Sequence, residues 1–133
     1  MSCMLRISGK NFNPDTFINT THLKPSTVYL KGEPKFKTRP QGMKHTESGL
    51  NVIVSKMDFS KFDKQVIDSI KFFKKHKTGL DLYIKKSNYL NSIILDFGVY
   101  RRDVVVQSDR FPSELLLMAG SLGISIQLSQ YPK

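Results

Sequence analysis

Between residues 60 and 77 the hydrophobic period is helical, while on both sides of that stretch it is two. This switch limits the folds open to the chain more than any other feature. Phe62, Val66, Ile70 and Phe73 recur at intervals of four, four and three, which lines one face of a 3.6-residue helix. A helix with one apolar face must bury it, and the flanking strands supply a sheet to bury it on. Ser60 and Asp63, three apart, predict a capping box at its start. Lys74, Lys75, His76 and Lys77 then fall at the negative end of the macrodipole, and Gly79 fits the left-handed C-terminal position.

The strands read by alternation. MLRISG sets Leu5 and Ile7 against Met4, Arg6 and Ser8, and Leu50, Val52 and Val54 alternate with Asn51, Ile53 and Ser55. Asn13-Pro14-Asp15 combines an N-cap oxygen, a preset φ and a carboxylate at the positive end, so a short helix is expected from Pro14 to about Thr20. Pro25 stops it, and STVYLKG is the next strand. LDLYIKK and SIILDFGVY predict two more strands, joined as an antiparallel hairpin by a loop at Ser87 to Asn91. RRDVVVQSD continues or restarts extended structure through Val104, Val105 and Val106. PSELLLMAGSLG is a last helix that buries Leu115, Leu116, Met118, Ala119 and Leu122 and ends at Gly123, and ISIQLSQY closes the chain as a strand. The expected fold is α+β: a single mixed, mainly antiparallel sheet with two to three helices packed on one face.

The 133 residues suit one domain, 1–133, large enough to hold a core without metals or disulfides. Its long loop, at about 31–48, carries Pro34, Pro40, Gly32 and Gly42 with Lys35, Lys37, Arg39 and Lys44. Loops of that length inside a small domain are usually functional or mobile. With a formal net charge of +10, the chain calls for an anionic partner, and this loop is the first candidate contact surface. Arg101 and Arg102 are candidate partner-binding residues beside those four cations. No apolar run reaches the length of a bilayer span or a signal-peptide core, so the expectation is a cytoplasmic protein with no membrane partner.

The residue types that carry catalysis are not grouped. Cys3 is the sole cysteine, with no neighbouring His, and reads as a small half-buried residue at a strand start. His22, His45 and His76 fall in three segments, so neither metal nor cofactor is expected. No nucleophile elbow or phosphate-cradling glycine loop occurs, and Asp81, Asp96, Asp103 and Asp109 read as solvated loop and strand-end carboxylates. The chain reads as a binder and not an enzyme.

Two segments, LRISGKNFNPDTFINTTHLKPSTVYLKGE and FPSELLLMAGSLGISIQLSQY, resemble an uncharacterised bacterial family, domain of unknown function number 4279. The likeness lies in the order strand, Asn-Pro-Asp helix, Leu-x-Pro-Ser turn, Lys-Gly-Glu strand end, then a Glu-Leu-Leu helix leading through Leu-Gly-Ile into a strand with Tyr131. Small bacterial domains of this kind often look like immunity proteins. The resemblance therefore implies an immunity-type protein, a monomer or small oligomer, that neutralises a cognate toxin domain by occluding its active site. Given the basic charge, the toxin's contact surface would be acidic. The alternative is a basic nucleic-acid-binding domain using the loop, the helix-end lysines, and Phe36, Tyr29 or Tyr83 as stacking residues on an exposed sheet face.

Overall fold

The computed structural model describes residues 2–87 and 91–133. Its elements are β1 (Cys3–Gly9), α1 (Pro14–Thr21), β2 (Thr27–Tyr29), β3 (Ser48–Ser55), α2 (Phe62–Lys86), β4 (Ser92–Tyr100), α3 (Ser113–Ser121) and β5 (Ser125–Tyr131). The five strands form one sheet in the order β2-β3-β1-β4-β5. Every neighbouring pair is antiparallel except β4 and β5, which run parallel with α3 as their crossover. The α+β fold expected from the sequence, with helices packed on one mixed sheet, is the fold observed.

The alternation in β1 explains why it lies at the centre. Cys3, Leu5 and Ile7 point to the helix side and are buried, while Met4, Arg6 and Ser8 stand half-buried on the other side. Leu5 lies opposite Val52 and Leu95, and Ile7 opposite Leu50 and Ile93, so three strands present one continuous apolar surface. Onto it the helices bring Phe17, Phe73, Leu80, Tyr83, Leu115, Ala119 and Leu122, all in one buried cluster. The opposite face carries no helix among the described residues. Among the described residues no helix is long and apolar enough to cross a membrane.

α1 starts as its sequence dictates: Asn13 Oδ1 accepts from the Asp15 and Thr16 amides at 3.0 and 3.4 Å, with Pro14 next. Gly123 ends the last helical segment with φ of +72°. The start of α2 differs from expectation. Its N-cap is Lys61, without a side-chain cap, and the local turn is made instead by Asp58, whose Oδ1 accepts the Ser60 amide at 2.8 Å. The Ser60 side chain and amide, followed by the Lys61 charge, hold that exposed carboxyl below the usual range. Ser60 and Asp63 therefore form no capping box.

The larger correction concerns the far end of α2. It does not stop at Gly79 but runs on to Lys86, so LDLYIKK is helical and the expected hairpin does not form. Leu80 and Tyr83 lie seven and ten positions after Phe73, in phase with the same apolar stripe, and both are buried. The alternation of Leu80, Leu82 and Ile84 gave a period of two, but Leu82 faces solvent. The turn expected over Ser87 to Asn91 lies partly outside the described residues.

Gly79 is where α1 crosses. A Cβ there would lie 3.2 Å from Thr21 Cα, so the glycine allows close backbone approach instead of capping a helix. Glycine in a helix interior costs about 1 kcal/mol against alanine. That cost is offset by the contact it permits: Phe17 meets the Tyr83 ring edge-on at 5.0 Å, and Phe12 meets it at 6.4 Å. Asp81 and Lys85, four apart and 3.0 Å from each other, add a surface ion pair to the extended helix.

Two smaller expectations also change. RRDVVVQSD makes no strand; Val104, Val105 and Val106 lie on an exposed bend. Leu116 is not buried with Leu115 and Ala119, because it projects sideways from α3. Cys3 is fully buried rather than half-buried, its Sγ 3.4 Å from Ser69 Oγ, which in turn donates to the Gln65 carbonyl at 2.8 Å. Burial pushes its thiol up to about 12.

Two outcomes follow from this packing. Gly79→Val should lower stability by about 2 kcal/mol, since a branched side chain must displace Thr21 backbone. Urea unfolding reads this directly, and an unchanged midpoint would mean that α1 does not press on α2. The second concerns pH: the unfolded thiol ionises near its ordinary value of 9.0, whereas the folded one keeps its proton to about 12. The folded state then binds more protons, so stability falls as pH rises from about 9, by at most about 1.4 kcal/mol per unit from this group. Cys3→Ala should remove that part of the slope, measured as the difference between the two proteins across pH 9 to 10.

Candidate binding surface

The basic loop is a continuation of the β2-β3 hairpin. Tyr29 pairs with Gly49, and beyond them the two arms stay bonded: Gly32 donates to the His45 carbonyl, His45 to that of Glu33, and Lys35 to that of Met43, at 2.8, 2.8 and 2.9 Å. Gly32, at φ of +89°, bends the outgoing arm, and Glu33 Oε1 accepts the Leu30 amide at 2.7 Å. At the tip, Arg39 donates to the Phe36 carbonyl at 3.0 Å and Gly42 to that of Arg39 at 2.9 Å, which closes two tight turns. The Lys44 ammonium caps the Pro40 carbonyl. At its base Tyr29 stacks on His45, ring centroids 4.3 Å apart and planes 22° off parallel.

This bonding fixes what the loop presents. Lys35, Lys37, Arg39 and Lys44 are all exposed, and none of them belongs to an ion pair among the described residues. Between them stand two apolar side chains, Phe36 at 58% and Met43 at 66% exposure. An exposed aromatic and a methionine among cations of the same loop have the composition of an interface centre with its polar rim.

Arg101 and Arg102 are elsewhere. The loop leaves the sheet at the end holding Gly9, Ser48 and Ser92, whereas Arg101 follows Tyr100 at the end holding Cys3 and Ser55. The nine residues of β4 separate those ends by roughly 30 Å. The structure thus groups four of the six candidate residues and leaves two apart. Arg102 is also committed internally. It donates to Asp109 Oδ1 at 3.1 Å and to the Ser108 carbonyl at 3.4 Å, while Gln107 Oε1 accepts its amide at 2.9 Å and Gln107 Nε2 donates to the Tyr100 carbonyl at 3.1 Å. Its role is to clamp the segment that carries the exposed valines.

The stacking candidates separate in the same way. Tyr83 is buried in α2 and cannot meet a base, Phe36 is exposed on the loop, and Tyr29 is held over Gly49, where a Cβ would collide with its hydroxyl. The lysines at 74–77 fall in mid-helix, away from the last turn, and Lys74 reaches Glu114 at 3.3 Å. Lys85 and Lys86 occupy the last turn instead.

On the helix-free face the sequence reading missed a second aromatic group. Phe59 stacks on Tyr131, centroids 4.8 Å apart and planes 7° off parallel, meets Tyr100 edge-on at 5.3 Å, and itself lies against the bare backbone of Gly98. Tyr100 and Tyr131 on paired neighbouring strands could have pointed to it; Phe59, in a turn, could not. At the middle of that face Arg6 Nε donates to Asp96 Oδ2 at 3.1 Å and Ser129 Oγ to Asp96 Oδ1 at 2.7 Å, which satisfies a nearly buried carboxylate. Among the described residues no three His, Cys, Asp or Glu side chains gather as a metal site would require. No protein-family model matches this chain, and no curated protein or solved structure matches it either.

Proposed function

We propose that the chain is a binding protein of the immunity type, which holds an acidic protein, a toxin domain, through the β2-β3 hairpin and blocks that partner's active site by occupying the space before it. It performs no chemistry of its own in this reading. The observation that carries it is the hairpin: cross-strand bonds order one loop that exposes four cations outside any ion pair among the described residues together with Phe36 and Met43. Because the backbone is already ordered, binding loses little further conformational freedom, and the gain from burying Phe36 and Met43 goes into affinity. The cations would steer a partner of opposite charge. Arg102, being clamped to Asp109, has no part in this contact.

Nucleic acid is served less well by the same geometry. A single-strand binder stacks bases on exposed rings beside a basic groove, but Tyr29, Phe59 and Tyr131 are stacked on protein rings already, and Arg6 on the open face is neutralised by Asp96.

The protein encoded by the neighbouring gene is the partner to test, by co-expression followed by association kinetics. Changing Lys35, Lys37 and Arg39 to Glu should slow association by about tenfold or more at low salt and alter dissociation less. Phe36→Ala should do the reverse and act on the off-rate. Submicromolar binding of a labelled RNA or DNA oligonucleotide at physiological salt, weakened by the same three reversals, would overturn this assignment.

A further inference from the structure

The two edges of the sheet are not alike. β2 is three residues long, with Pro25 and Lys24 before it and Lys31 after it, all devices that discourage another strand from pairing there. β5 has seven residues in unbroken register with β4, so no bulge turns its free edge away. It contains no proline and no charged residue. The surrounding sequence extends this. Of 21 Lys and Arg residues in the chain, none falls between Ser113 and Tyr131, and the one acid there, Glu114, is held by Lys74.

α3 adds apolar surface beside that edge. Glu114 turns towards α2 through its ion pair, so Leu116, two positions and about 200° further round the helix, leans to the flank away from α2, on a helix that also packs on β5. It is 48% exposed, and Gly120, one turn on, leaves open space beside it.

We propose that β5 pairs antiparallel with β5 of a second copy of this chain, about a two-fold axis at Leu128, making one ten-stranded sheet. In that register Gln127 meets Ser129, Ile126 meets Gln130 and Ser125 meets Tyr131, and no charge opposes another. The occupant is a second copy because the strand complements itself across the axis and because the dyad brings the two α3 flanks together, Leu116 beside Leu116. Elsewhere two copies each carrying +10 repel one another; the stretch without cations is where they can meet.

The charge gives the association a signature. Added salt screens the repulsion, so dimerisation should strengthen between about 50 and about 500 mM NaCl, the opposite of the salt response expected for an acidic partner on the hairpin. Sedimentation equilibrium of the whole chain tests this, with a dissociation constant expected on the order of 10 μM for so small a seam. Gln127→Lys with Gln130→Lys sets four lysines along the seam and should weaken association at least about tenfold. Both side chains are exposed, so the melting temperature at low concentration should be unchanged. If that variant does not fold, Leu116→Lys decides in its place. A wild-type chain that remains monomeric at about 500 μM in high salt, well above that constant, would overturn the proposal, as would a dimer that these lysines do not weaken.

Discussion

The structure depends on the burial of one face of β1 under the helix layer and on the pairing of both of its edges. Leu5 and Ile7 are buried in the helix-covered core and flanked by Val52, Leu50 and Leu95, while Arg6 on the other face reaches Asp96 of the neighbouring strand at 3.1 Å. Its position is fixed by β3 and β4, which pair with it along its length and also bond Ser2 just ahead of it. A buried column of small polar groups fixes one end of this arrangement. Gln65 Nε2 donates to the Gly98 carbonyl at 2.8 Å, and Ser69 links α2 to Cys3. These bonds set how α2 lies over the sheet, and the rest of the helix layer is built on α2.

Where the sequence was legible, one residue type met one local requirement. Asn13 and Pro14 mark a helix start because capping is decided by atoms two and three residues away, and Gly123 marks an end because its positive φ excludes most other residues. Gly79 was not legible for the complementary reason. Glycine serves a left-handed cap and a close helix crossing equally, and only Thr21, 58 positions away in sequence, distinguishes them. Leu80 and Ile84 fit both periods over so short a window, and the deciding residue was Tyr83, whose partners Phe12 and Phe17 are also remote.

The candidate surface was legible as composition but not as geometry. Lys35, Lys37, Arg39 and Lys44 are visible as a basic run, and a run with prolines and glycines reads as slack. Its order comes from pairings such as Gly32 with His45 and Lys35 with Met43, which look like nothing in one dimension. Arg101 and Arg102 show the converse case. Two adjacent arginines look like a contact patch, but Asp109 and Gln107, several residues on, take up Arg102. A positive charge counted from sequence is available to a partner only when no acid folds back onto it.

That distinction also explains how +10 can coexist with a stable domain. Self-repulsion grows as cations are brought together, and here they are spread over the hairpin tip, the outer side of α2 and the far end of the sheet. The three acids that pair most closely with cations, Asp96, Asp109 and Asp81, each hold a single Arg or Lys at 3.0 to 3.1 Å in a different part of the fold. Only Asp96 and Asp109 are well shielded, and each of these accepts further hydrogen bonds, so burying their charge costs less than an isolated ion would. Fold and surface thus use charge differently: the fold keeps a few acids for fixed positions, and the hairpin keeps its cations unpaired because neither Glu33, whose carboxylate holds the Leu30 amide, nor any other acid turns back onto them.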